Sequence, residues 1–190
     1  MSDIEVPTLV TSRLLLRQWH EADLAPYTVI CGDPVVMEYF LATSTPDESA
    51  AMVERQRALL EAGEPGLYAV QVREDHGFIG FIGLATPGFE APFTPCVEVG
   101  WRLARHAWGH GYATEGARVA LGHAFDILHL PEVVSFTSQI NLRSQQVMQR
   151  IGMHTDAIDD FEHPEIPEDH PLRPHVLYRL TAAEWHAQTD

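Results

Sequence analysis

Residues 105–117 read Arg-His-Ala-Trp-Gly-His-Gly-Tyr-Ala-Thr-Glu-Gly-Ala, and they join two segments of different period. Upstream, Val97, Val99 and Trp101 alternate with Glu98, Gly100 and Arg102, which is the period of a strand. Downstream, Ala117, Ala120, Leu121, Ala124 and Leu128 keep the helical period as far as about His129, and Pro131 ends it. A strand that turns through Gly109 and Gly111 into a helix start aims several backbone N–H groups at one point. The positive end of the helix dipole adds to them, so the run predicts a nest for a phosphate or pyrophosphate that needs no lysine.

Two common nucleotide motifs do not fit. A Walker loop requires a lysine after its second glycine, and none follows here. A dinucleotide fingerprint requires a third glycine where Thr114 stands, and strand–helix alternation from the start of the chain. The first half instead reads as rich in hairpins.

Whole-chain properties narrow the ligand classes. With 190 residues and 45% hydrophobic composition the chain suits one domain over 1–190. A net charge of −15 argues against nucleic acid and favours cationic small molecules, amines and basic termini, or solubility alone. Cys31 and Cys96 lack metal or disulfide spacing, Met1–Glu5 lacks the features of a signal peptide, and no apolar run reaches the ~20 residues that span a bilayer. A cytoplasmic protein with no membrane partner is the expectation.

Element signals continue along the chain. Thr8–Trp19 reads as a first strand and His20–Cys31 as a helix stopped at Gly32-Asp33-Pro34. Thr45 is a candidate N-cap, with Pro46 at the first position of a helix that ends at Gly63. Leu67–Arg73 alternates like a half-buried strand and pairs with Phe78–Thr86 across a turn. Pro87–Pro95 is a surface loop, and Gly100 inside its strand marks a bulge or a close approach. Val133–Thr137 is a buried strand, Asn141–Ile151 a helix capped by Asn141, and His154–Arg173 a long irregular loop. Val176–Thr181 is a last strand, followed by a short helical end.

Taken together, Val97–Ala117, Asn141 with Ser144, Gly152-Met153 and Ser12-Arg13-Leu14-Leu15-Leu16-Arg17 resemble the GNAT superfamily of acyl-CoA-dependent N-acetyltransferases. Within it, Trp108-Gly-His-Gly-Tyr-Ala-Thr-Glu115 is similar to the branch of ribosomal-protein-alanine N-acetyltransferases, with His106 where the family has Arg or Gln. The resemblance implies a mixed α/β (α+β) domain, with a splayed, mostly antiparallel twisted sheet and helices on both faces. It also implies acetyl transfer from acetyl-CoA to a primary amine, by direct attack through a tetrahedral intermediate. On that reading the backbone of His106, Ala107, Trp108, Gly109, His110, Gly111, Tyr112 and Ala113 grips the CoA pyrophosphate. The pantetheine arm lies along Val99 and Trp101, the thioester carbonyl meets an N–H near Gly100, and Asn141 reaches a pantetheine amide. Ser144 sits near the sulfur.

Each residue also has a plainer reading. Asn141 caps a helix, Ser144 bonds backbone in its first turn, and Glu115 complements a helix dipole. Glu98 is the expected base, facing away from the apolar side of its strand, with Glu162 and His163 as alternatives and His175 as a substrate contact. A metal site is not expected: Ala107 replaces the glutamate of a zinc helix motif, and prolines break the late histidine cluster. The acceptor is a protein N-terminus or a small-molecule amine. A homodimer is compatible with the sequence. The rivals are a non-catalytic acyl-CoA sensor and a metal-dependent hydrolase.

Overall fold

The computed structural model describes residues 6–189, so the leader reading of Met1–Glu5 lies outside the described residues. The segment expected as one first strand is two. β1 (Leu9–Val10) and β2 (Leu14–Arg17) pair antiparallel, Leu9 opposite Leu16. The cause is a tight hairpin turn through Ser12 and Arg13, closed by the Thr11 N–H on the Leu14 carbonyl (3.0 Å) and the Leu14 N–H on the Thr11 hydroxyl (2.8 Å). The Glu115 carboxylate braces that turn, accepting from the Thr11 hydroxyl (2.6 Å), the Ser12 hydroxyl (3.0 Å) and the Arg13 N–H (2.9 Å).

α1 (Leu24–Gly32) follows a short turn, and α2 (Pro46–Glu61) starts on the expected cap. There the Glu48 N–H donates to the Thr45 hydroxyl (3.2 Å) while the Thr45 N–H donates to the Glu48 carboxylate (2.7 Å). β3 (Leu67–Val72) and β4 (Phe78–Ala85) form the hairpin. β3 is not half-buried as its alternation predicts: Tyr68, Ala69 and Val70 are all buried, because helices cover both faces.

β5 (Glu98–Leu103) feeds α3 (Tyr112–Gly122). The helix expected to run on to His129 instead opens into a π-helical turn, His123–Ile127, where the Leu128 N–H donates to the His123 carbonyl five residues back. β6 (Glu132–Ser138) and α4 (Leu142–Arg150) come next. The irregular stretch holds short β7 (His154–Thr155) and β8 (Phe161–Glu162), and β9 (Pro174–Thr181) leads into α5 (Ala182–Thr189).

The strands form one sheet in the order β1-β2-β3-β4-β5-β6-β9-β7, with β8 also on β9. All pairs are antiparallel except β5–β6. That parallel pair has a single register position, Glu98 opposite Val134, held by the Val134 N–H on the Val97 carbonyl (2.9 Å). Beyond it the strands part, and the Ser135 hydroxyl donates to the Val99 carbonyl (2.9 Å) in place of a backbone partner.

The two faces are told apart by neighbours on β4. Phe81 lies 6.1 Å from the Tyr27 ring of α1, whereas Ile82 abuts Gly116 of α3. Trp19, Leu14, Leu16, Ile82, Leu121 and Leu180 are among the fully buried side chains of the main core. No helix among the described residues is long and apolar enough to cross a membrane.

Candidate active site

The nest forms where the glycine spacing places it. Gly109 and Gly111 have φ of +80° and +79°, and Gly111 is the N-cap of α3. Side chains with a Cβ are strained in this region, so two turns this tight in succession call for glycine. No side chain caps α3, which leaves its first-turn N–H groups to a ligand. Not every amide expected to bind is available. The Ala107 and Trp108 N–H groups donate to the Ala104 and Arg105 carbonyls in a 3-10 turn, which removes them from the predicted set. The N–H groups of Gly109, His110 and Gly111 have no acceptor among the described residues. His106 and His110 are exposed, and His110 stacks on Tyr112 with ring centroids 5.4 Å apart. This uncapped cluster of donors fits a pyrophosphate.

Glu115 fixes that nest to the sheet edge. It also accepts from Arg13 Nε (2.6 Å), and Arg13 Nη1 donates to the His110 carbonyl (2.9 Å). Against the raising effect of partial burial, these bonds hold its carboxyl below the usual carboxylate range. Its role is structural.

Along the gap, alternation decides which groups of β5 are offered. The Val97 and Val99 carbonyls face β6, so the Trp101 N–H and C=O do too. The donor beside Gly100 that faces the gap is therefore the Trp101 N–H. Gly100 itself is not a bulge, because the β4–β5 register runs unbroken through Gly83 opposite Gly100. What Gly100 supplies is room: a Cβ there would meet nothing within 4 Å. Asn141 caps α4, its Oδ1 accepting from the Ser144 N–H (3.2 Å) and its Nδ2 donating to the Thr137 hydroxyl (2.9 Å). Each atom keeps spare capacity for a ligand. The Ser144 hydroxyl has no partner among the described residues.

On the opposite, α1 face, Glu98 stands without an ion pair or hydrogen bond among the described residues. Burial alone pushes its carboxyl up to about 7. Cys96 shares that face, and burial, then the Glu98 charge, pushes its thiol up to about 11. Beyond β6 lies an aromatic cluster. Phe93 and Phe161 are 4.8 Å apart, Phe89 and His163 4.5 Å, Phe136 and Phe161 5.8 Å, and His175 lies 4.9 Å from His163. His175 is buried, donates from Nδ1 to the Arg173 carbonyl (3.0 Å), and is held neutral at about pKa 4 chiefly by burial. Its Nε2 is thus a lone-pair acceptor. Glu162, considered as a base, is exposed and ion-paired to Arg173 (3.1 Å).

Sequence reasoning missed this cluster, because Phe89 and Phe93 sit in a loop read only as surface. It also missed Arg143. From the first turn of α4 that guanidinium lies 4.4 Å from the Trp108 ring centroid and 5.5 Å from that of Tyr39, and it ion-pairs with Glu38. Trp108 donates in turn to the Leu103 carbonyl at the end of β5 (2.9 Å).

A sequence model of the acetyltransferase (GNAT) domain matches residues 13–154. The FsC-acetyl coenzyme A-N(2)-transacetylase of Aspergillus fumigatus is 32% identical over 188 residues, covering 94% of this chain and 78% of the relative. A solved acetyltransferase from Agrobacterium tumefaciens is 29% identical with a TM-score of 0.73, covering 93% of this chain and 95% of that chain. RimL, a ribosomal L7/L12 alpha-N-protein acetyltransferase solved in complex with coenzyme A, has the same fold. Its TM-score is 0.72 at 14% identity, covering 92% of this chain and 98% of that one. The matched domain takes in the nest, the splayed strands and the capped α4, and with it this chain belongs to the GNAT family of acetyl-CoA-dependent acetyltransferases.

Proposed function

We propose that this acetyltransferase moves the acetyl group of acetyl-CoA onto a primary amine by direct attack, with Glu98 as the proton acceptor. The observation that carries the reading is the bare Glu98 carboxyl, poised near 7 beside the open ground at Gly100. An amine with a pKa of about 8–10 arrives protonated and cannot attack in that form. Glu98 as carboxylate takes one proton and frees the nitrogen lone pair. The Trp101 N–H is placed to hold the carbonyl oxygen as the C–N bond forms. As the C–S bond breaks, the second proton on nitrogen passes to the departing thiolate, with the Ser144 hydroxyl as relay. The backbone from Gly109 to Ala113 holds the pyrophosphate, and Asn141 and the Val99 carbonyl border the pantetheine arm.

Nitrogen as the acceptor atom is supported by the relatives' names, an N(2)-transacetylase and an alpha-N-protein acetyltransferase. The acceptor itself is a protein N-terminus or a small amine, approaching on the α1 face past His175. Free Cys31 and Cys96 suit a reducing, cytoplasmic setting.

The test is thiol release from acetyl-CoA over a panel of amines. Wild type should release thiol in an amine-dependent manner, and Glu98→Gln should retain acetyl-CoA binding while kcat falls by about 10²–10³. Stabilisation by acetyl-CoA without thiol release for any amine would mark a sensor and end this reading.

A further inference from the structure

Five arginines are partly buried: Arg17, Arg57, Arg102, Arg173 and Arg179. Four are ion-paired, to Asp23, Glu54, Glu162, and Glu132 with Asp159. Arg102 has no carboxylate partner among the described residues, in a chain with 27 acidic side chains. Its Nη1 donates to the buried Cys31 thiol (3.3 Å), and its guanidinium lies 4.2 Å from the Phe40 ring centroid and 5.5 Å from that of Phe81. Its Nε is buried with no acceptor. Holding a half-buried cation unpaired costs stability, and a carboxylate placed nearby would remove that cost. Phe40, whose ring the guanidinium faces, is 47% exposed on the connection 33–45 between α1 and α2.

Arg102 is also two residues along β5 from Gly100 and four from Glu98, so all three share the α1 face. That face presents a proton acceptor, then open space, then an unpaired cation.

Resting on the acetyl-transfer reading, we propose that the acceptor is an amine that also carries a carboxylate, with the amine at Glu98 and the carboxylate on Arg102. Four residues of strand separate their Cα atoms by roughly 13 Å. An amine-to-carboxylate distance on the order of 10 Å follows, the span of a short peptide with a free C-terminus and too long for a single α-amino acid. A guanidinium recognises a carboxylate through paired N–H donors, and the Arg102 Nε has no acceptor that a carboxylate would have to displace.

Triglycine and triglycinamide make the test, since they share the amine and differ in the carboxylate. Wild type should favour triglycine by about 10–100-fold in kcat/KM. Arg102→Gln should abolish the preference through KM, and Arg102→Lys should restore part of it. Calorimetric titration of triglycine into the CoA-bound protein reads the same contact without turnover, with binding in wild type and none in Arg102→Gln. Equal rates for the two peptides, equal binding by both proteins, or a preference that survives in Arg102→Gln would overturn the proposal. If neither peptide nor any amine of the panel is acetylated but triglycine binds only with Arg102 present, the acceptor site stands and the transfer reading falls. Arg102→Gln should leave Tm unchanged or higher; a marked drop with triglycine binding intact would assign Arg102 to packing and overturn the proposal.

Discussion

Two glutamates on neighbouring parts of this molecule have opposite surroundings. Glu115, at the start of α3, is saturated by Thr11, Ser12 and Arg13, and its carboxyl is held low. Glu98, on β5, has no partner among the described residues, and its carboxyl is held high, about 7. A carboxylate whose lone pairs are all engaged holds two segments together and cannot take up a proton near neutrality. One left bare in an apolar setting stabilises nothing and is ready to exchange a proton. The lesson is that unmet bonding capacity identifies the chemistry, and met capacity identifies the scaffold.

The sharpest way to break this contrast is activity. Glu98→Gln should cost about 10²–10³ in kcat and remove the acidic limb of the rate profile, which in wild type should rise with pH through about 7. Glu115→Gln should leave kcat largely intact. A comparable loss from both variants would erase the distinction.

Stability should invert the order. Glu115→Ala strands charged and hydroxyl donors, so it should cost about 2–3 kcal/mol and lower Tm by roughly 4–10 °C in thermal melts. Glu98→Gln should gain about 1–3 kcal/mol at pH 8 and nothing at pH 4. The signs follow from linkage. Glu115, depressed on folding, contributes above its unfolded pKa and loses that contribution as pH falls through its folded value. Glu98, raised on folding, carries no penalty below the unfolded value of about 4.3, and its penalty grows until pH passes about 7.

Much of the Glu115 side was legible in the sequence, and little of the Glu98 side beyond the strand itself. Backbone nests are written locally: Gly109 and Gly111 need left-handed φ whatever surrounds them, and Asn141 announces a cap three residues before Ser144. Alternation also put Glu98, Gly100 and Arg102 on one face. The aromatic cluster was illegible because Phe89, Phe136 and Phe161 come from a loop and two strands with no shared period. The lack of a carboxylate partner for Arg102 could not be read at all, since a sequence displays charges and not their pairing.

A smaller effect probes the nest that Glu115 anchors. Gly111→Ala forces a Cβ onto φ +79° and should cost about 1–2 kcal/mol while weakening acetyl-CoA binding, measurable by titration. The smallest probes the gap. Ser135→Ala frees the Val99 carbonyl and should cost about 1 kcal/mol without acetyl-CoA and less with it, as a pantetheine amide supplies the missing donor.

The single rung between β5 and β6 has a further consequence. Backbone pairing divides the sheet into two plates riveted at one point, and an extended ligand in the cleft would act as an inserted strand that welds them. Amide hydrogen exchange along the facing edges of β5 and β6 should slow together when acetyl-CoA binds, so that the donor behaves as a removable part of the sheet.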